Sequence, residues 1–360
     1  MPSSTSNFDF VRPVPDLPWR GILLAVTLLT AVAAVAWEIR VRAWGYVATY
    51  TDDSDLWADR RGTVKPDSIV IIGDSRALFD SDLNTLEQGL GQRPVQLALV
   101  GSCAYPILEN LANDESFHGT VISSLLPMIW LAPPPAPPYQ KSVRALHRYR
   151  SRTLAQRSSH YIGLWLEGHI AFLNDDDLTL EALLDHLPVH NRADAQIPPP
   201  GPPYFANMDL DRRNWMIDQA VHPGKLQDRV KFGWPPLFTP PPPPSYVPKE
   251  AFLAGVGKAI EARFGDTAAA VKKIRARGGK VVFVRYPFNG PLKELEDKAT
   301  PRAGPWSRIL KESGAPGIYF EDYPELAGFI CPEWSHLSAP DSVEFTKRLV
   351  PHLKQALATP

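Results

Sequence analysis

Cysteine is scarce: Cys103 and Cys331 are the only two in 360 residues. The nine histidines are scattered, and no Cys/His spacing has the pattern of a zinc site, so no metal centre is expected. Neither charge sign is in excess, with 38 Lys and Arg against 39 Asp and Glu and a formal net charge of −1. Without a basic surplus the sequence does not point to nucleic acid. Without an acidic block it does not point to a solvating tail. No internal repeat is evident, and nothing in the sequence calls for a cofactor.

Apolar residues make up 44% and charged residues 21% of the chain, the balance of a sequence that folds around a core. Proline is abundant, 38 residues, about twice an average share. The segment 21–37, GILLAVTLLTAVAAVAW, carries no charge. As a helix it is roughly 26 Å long, enough to cross a hydrocarbon core. Trp19 and Trp37 flank it as interfacial aromatics do. Small residues at 30–33 offer a peptidase site, but the apolar run continues beyond them. The reading is therefore an uncleaved anchor: a cytoplasmic leader at 1–20, a span at 21–37 and a juxtamembrane connector at 38–66. The expected location is the inner (cytoplasmic) membrane, single-pass, with the main domain external.

Downstream, strand-like and helix-like patterns alternate. The β-branched run at 68–72 reads as a buried strand, 76–90 as a helix, 95–100 as a second strand and 106–113 as a helix, and 120–131 contains a third strand. That alternation indicates α/β architecture with a parallel sheet. It stops at 132–248, where three proline blocks (133–138, 198–203, 240–244) exclude helix continuation and central strands. Stretches between them, 178–187 and 214–220, read as helical. The many Trp, Leu, Phe and Tyr residues there argue for a packed insertion rather than a disordered linker. After it come a helix at 251–277, a strand at 280–287, a helix at 305–313, a strand at 317–320 and a closing amphipathic helix at 342–357. The sheet domain thus falls into two halves, 67–131 and 249–360.

Two segments carry the chemistry. In SIVIIGDSRALFD, 68–80, the apolar run ends at Gly73-Asp74-Ser75. A serine just past a parallel strand stands at the carboxyl edge of the sheet, where α/β proteins place their sites. Gly73 allows a tight turn, and Asp74 can fix it through backbone amides. Two readings stand: Ser75 is a nucleophile, or Asp74 or Ser75 only caps a helix. In CPEWSHLSAPDS, 331–342, Glu333 precedes His336 by three positions. From a loop, that acid can reach Nδ1 and leave Nε2 to take a serine proton.

Ile71-Ile72-Gly73-Asp74-Ser75, Gly101 after the second strand, and Glu333-Trp334-Ser335-His336 resemble the motifs of the SGNH (GDSL-like) hydrolase superfamily. The resemblance covers the sheet domain and not the insertion. It implies a flavodoxin-like three-layer α/β/α fold with a mainly parallel five-stranded sheet. It also implies Ser75 as nucleophile, His336 as base, Glu333 as the orienting acid, and the Ser75 and Gly101 amides as oxyanion donors. The family acid is usually Asp, and Asp322 is the alternative here. The family's Gly-x-Asn after the third strand is missing, as it is in divergent members resembling polysaccharide O-acetyltransfer and alanylation factors, many of which carry one N-terminal span.

Arg76 and Arg285 sit at the same sheet edge and are candidates for binding an anionic substrate group. The alternatives are a solvent-exposed helix arginine for Arg76 and a local carboxylate partner for Arg285. Cys103 and Cys331 lie on loops at that edge, either as a disulfide pinning the histidine loop or as two buried thiols. The leading expectation is a membrane-tethered serine esterase or O-acyltransferase of the cell envelope. It would act on an acylated glycan or lipid and, for transfer, with a multi-span membrane partner delivering acyl groups. The alternative is a non-catalytic subunit of the same fold serving a membrane complex.

Overall fold

A computed structural model describes residues 17–173, 205–238 and 247–358, with isolated positions 178, 184, 202 and 203. The architecture is α/β around one five-stranded parallel sheet. Its strands are β1 (Ile69–Ile72), β2 (Val95–Gln96), β3 (Thr120–Ser124), β6 (Lys280–Arg285) and β7 (Gly317–Tyr319). A separate antiparallel hairpin pairs β4 (Ala206–Met208) with β5 (Asn214–Met216). The sheet order is β2-β1-β3-β6-β7, and every pairing in it is parallel. The chain moves outward from β1 to β2, then returns to β3 on the other side of β1. That reversal opens a crevice at the carboxyl ends of β1 and β3.

Central strands read as continuous apolar runs because both faces are covered. In KVVFVR of β6 all residues after Lys280 are buried. The helices Leu83–Leu90 and Ala339–Ala358 pack on each other. Lys249–Ala276 packs with Tyr105–Ala112 and Pro305–Ser313. Both Lys249–Ala276 and Ala339–Ala358 also contact β6.

Several elements differ from their sequence expectation. The helix expected over 76–90 is two, Ser75–Phe79 and Leu83–Leu90. Asp82 interrupts it by capping the second helix, accepting the Thr85 amide at 2.8 Å. The second strand is shorter than 95–100. Leu97 and Leu99 still donate to Ile71 and Gly73 of the β1 segment, at 2.8 and 3.0 Å. On the outer side, however, Gln96 and Ala98 face an arginine instead of another strand. Arg212 Nη1 donates to the Gln96 carbonyl at 2.9 Å and Nη2 to the Ala98 carbonyl at 2.8 Å. Arg212 is fully buried and stands in the left-handed region (φ 64°), at the turn of the β4–β5 hairpin. The stretch 214–220, read as helical, is therefore β5 followed by the short helix Asp218–Val221. Through Arg212 the hairpin covers part of the β2 edge, which otherwise presents unpaired backbone groups.

The described part of the insertion is packed. Phe205, Met208, Met216 and Val230 belong to the same apolar core as β1 and β3. The first proline block ends inside the helix Pro137–Ser151, whose first turn accepts proline because those amides have no partner. The expected helix at 178–187 and the blocks at 198–203 and 240–244 fall wholly or mostly outside the described residues.

The region expected as a connector is structured too. The helix Ser54–Gly62 is capped by Asp53 and buries Leu56 and Trp57, and Trp57 Nε1 donates to the Leu97 carbonyl at 2.9 Å. Ahead of it runs one helix, Trp19–Ala43, long and apolar enough to cross a membrane, with a mean hydropathy of 2.2 over its best window and none of that window buried.

Candidate functional site

Ser75 is the first residue of the short helix that follows β1, and it is half-buried at the carboxyl edge of the sheet. Asp74 is the cap: its Oδ1 accepts the Arg76 amide at 2.9 Å, and its Oδ2 accepts the Ser124 hydroxyl at 3.0 Å. Ser75 is thereby released from capping, and as a first helical residue its own amide has no intrahelical acceptor. Gly73 has φ 152°, and a Cβ there would stand 2.5 Å from the Ser124 Cβ and 2.8 Å from that of Ala77. Only glycine lets β1 turn this closely past β3.

The second segment folds back on itself. Trp334 takes a left-handed conformation (φ 83°), uncommon for a bulky residue. This turn brings the Glu333 carboxylate over the amides of Ser335 and His336 and onto the imidazole. The Glu333 Oε1 to His336 Nδ1 distance is 2.9 Å, and both side chains are buried. The carboxylate accepts, so the proton is assigned to Nδ1 and Nε2 carries the lone pair. Nε2 is buried and has no hydrogen-bond partner among the described residues. Leaving such an atom unsatisfied costs roughly 1–3 kcal/mol.

The segments meet. Arg76 Nε donates to Ser335 Oγ at 3.3 Å, linking the residues adjacent to Ser75 and His336. Phe79, one helical turn below Ser75, lies 4.4 Å from the His336 ring centre. The two segments are therefore joined through the neighbours of Ser75 and His336, and no hydrogen bond joins the hydroxyl to the imidazole. Two residues of the insertion complete the surroundings: Phe205 and Trp234, each with its ring centre 5.7 Å from the imidazole. Trp234 Nε1 donates to Glu333 Oε2 at 2.9 Å and to the Glu333 carbonyl at 2.8 Å. Trp234 is itself half-buried.

The remaining expected residues divide. Gly101 is exposed in a left-handed turn (φ 60°) beyond β2. Asp322 is on the surface, paired with Arg302, which leaves Glu333 as the acid beside His336. Arg76 and Arg285 are not exposed to a ligand: both are buried and share the buried carboxylate of Glu296. Their guanidiniums lie 4.5 and 4.1 Å from the Phe288 ring centre. Burial pushes the Glu296 carboxyl up, but the two guanidiniums prevail and hold it below its usual range. Of the two readings of the cysteines the structure has the second, since Cys103 and Cys331 are separate buried thiols. Cys103 Sγ contacts the Trp130 carbonyl at 3.2 Å, and Cys331 Sγ contacts the Pro287 carbonyl at 3.5 Å. Burial pushes the Cys103 thiol up to about 11 and raises that of Cys331 as well.

No family model matches the chain, and no curated protein or solved structure matches it. What the site can do rests on its own geometry.

Sequence reading missed three contributors. Asp80 ends the serine's helix and accepts the Leu337 amide at 2.9 Å. Ser124 holds Asp74. Trp234 holds Glu333. None carries a spacing that marks it. Only the fold brings them there.

Proposed function

We propose that this chain is a membrane-anchored serine acyl-ester enzyme of the SGNH type, with a flavodoxin-like sheet. Ser75 is the nucleophile, His336 the base and Glu333 the acid that orients it. One observation carries the reading: a buried Glu333–His336 pair whose Nε2 has no partner among the described residues, on a segment bonded to the residue after Ser75. Buried polar side-chain atoms are mostly hydrogen-bonded, so an unpaired Nε2 favours a role beyond structure.

In the proposed cycle Ser75 Oγ attacks the ester carbonyl carbon while its proton passes to His336 Nε2. The resulting oxyanion is met by the Ser75 amide, with Gly101 as the second donor. Collapse expels the alkoxide, which takes the proton from the imidazolium and leaves an acyl-serine. Water or a sugar hydroxyl then attacks the acyl carbon and gives its proton to His336, which passes it to the departing Ser75 Oγ and so restores the free enzyme. Only the second acceptor separates hydrolysis from transfer. For this chemistry Oγ and Nε2 must come within about 3 Å, which free enzymes often reach only with substrate bound. The helix Trp19–Ala43 would hold the enzyme to the inner membrane, where an acylated envelope glycan is the proposed substrate and a multi-span membrane protein the proposed acyl donor.

A second reading, a non-catalytic subunit of a membrane complex, is favoured by Phe205 and Trp234 packing on the imidazole and by the absence of the family's asparagine after β3. Fluorophosphonate labelling of the full-length protein decides between them. The enzyme reading expects labelling of the native chain, none of Ser75→Ala, and a drop of about 10²-fold or more in His336→Ala. Equal labelling of native protein and Ser75→Ala, or labelling of neither, overturns it.

A further inference from the structure

The helix Leu154–Glu167, in the insertion, begins with a capping box at Thr153 and Gln156 and buries none of its residues fully. Its inner face is well tied. His160 Nε2 meets Asp59 at 2.9 Å, Leu164 packs on the core, and Glu167 accepts the Thr51 amide at 3.0 Å. Its outer face is apolar: Leu154, Tyr161, Ile162 and Trp165 recur at helical spacing, and they are 80, 58, 64 and 64% exposed. Water-facing helices place charge on that side, so this one is inverted relative to expectation. Arg157 is exposed at the margin of the apolar stripe.

The place of this helix suggests what covers it. The segment just beyond its C-terminus is bonded to the last turns of the apolar helix Trp19–Ala43. Glu38 accepts the amides of Ala171 and Phe172 at 2.9 and 3.0 Å, and Arg42 donates to the His169 carbonyl at 3.0 Å. Glu38 follows Trp37, the aromatic that ends the uncharged run. The end of Leu154–Glu167 is thus fixed at the level where that run emerges from the hydrocarbon. Trp and Tyr on an apolar stripe with a flanking arginine are the composition of a helix lying in a bilayer interface.

We propose that Leu154–Glu167 is a second membrane element, lying in the phospholipid headgroup region with Leu154, Tyr161, Ile162 and Trp165 turned into the lipid. This rests on Trp19–Ala43 being a bilayer span. It goes further in making the insertion, and not the anchor alone, set how the domain sits on the membrane.

The test uses full-length protein in phosphatidylcholine–phosphatidylglycerol vesicles. An environment-sensitive fluorophore is placed on single cysteines (Ile162→Cys, Trp165→Cys, Leu29→Cys in the apolar helix, and Lys347→Cys on an exposed helix face), with spin-labelled lipid as quencher. The native thiols are buried. The expected result is loss of roughly half or more of the emission at 29, 162 and 165, as for groups sunk 5–10 Å into the interface, and little loss at 347. Quenching at 29 with 162 and 165 behaving like 347 overturns the proposal and leaves the anchor standing. A blue-shifted but unquenched label at 162 or 165 means that protein covers the face, and also overturns it. No quenching at 29 removes the anchor, and the proposal with it.

Discussion

The Leu337 amide donates to Asp80 Oδ1 at 2.9 Å, which ties the residue after His336 to the residue that ends the helix of Ser75. The Asp80 carbonyl also accepts the Thr346 hydroxyl at 3.1 Å, so the final helix joins the same clamp. Asp80 is fully buried, and Oδ2 has no partner among the described residues. Burial raises its carboxyl well above the usual 3.8.

A sign follows for pH. The folded chain keeps the Asp80 proton where the unfolded chain has lost it, so this group lowers stability as pH rises from about 4 toward its folded pKa. Asp80→Asn keeps the acceptor and removes the titration. It should match the native protein near pH 4 and gain on it progressively toward neutral pH, read as apparent Tm in detergent. A native–variant difference that is constant across pH would show that Asp80 is ionised in the fold.

Glu296 bridges Arg76 and Arg285 in a site closed to water. Removing one member of such a set leaves buried charge uncompensated, at about 3–5 kcal/mol. Glu296→Gln should unfold at markedly lower denaturant or temperature, whereas Arg302→Gln, which breaks an exposed pair with Asp322, should cost less than about 1 kcal/mol. Equal effects would mean that the buried trio is not held as described.

Trp234 covers the imidazole and donates to Glu333. Trp234→Ala should open the site while costing about 2–3 kcal/mol, below the loss for a fully buried tryptophan because the ring is half-exposed. Faster labelling of Ser75 by a small fluorophosphonate is the expected readout. Labelling unchanged from the native rate would mean that Trp234 does not limit access.

Both thiols are protonated at neutral pH and shielded. Thiol titration should find neither in the folded protein and two per chain after denaturation, with no shift in mobility on reduction. Fewer than two after denaturation would indicate a bridge.

The alternation of apolar runs with helical periodicity was enough to read the sheet, because β1, β3 and β6 are buried on both faces and announce themselves as IVII, TVISS and KVVFVR. The Gly73-Asp74-Ser75 turn and the Glu333–His336 spacing were legible for a similar reason, since both are local geometry that adjacent residues dictate. What was not legible is non-local. Arg76 looks like a solvated helix residue until Glu296, 220 positions away, is seen beneath it. The cysteines lie on the expected loops, but their loops turn the thiols toward Trp130 and Pro287. Residues 214–216 open a stretch with a helical pattern that pairing with β4 overrides, and the helix begins only at Asp218.

The pairing of β3 with β6 has a kinetic consequence. Thr120 to Ser124 align with Lys280 to Val284, yet residues 125–279, the insertion among them, separate the two strands. A crossover between parallel neighbours needs only about a dozen residues. Closing a loop some tenfold longer costs about 2 kcal/mol more in chain entropy. β1, β2 and β3 can assemble from nearby sequence, but β6 and β7 must wait for a distant search. Until that junction forms, the exposed flank of β3 is an open template for a neighbouring chain, and the time spent in that state sets how readily this protein aggregates during synthesis.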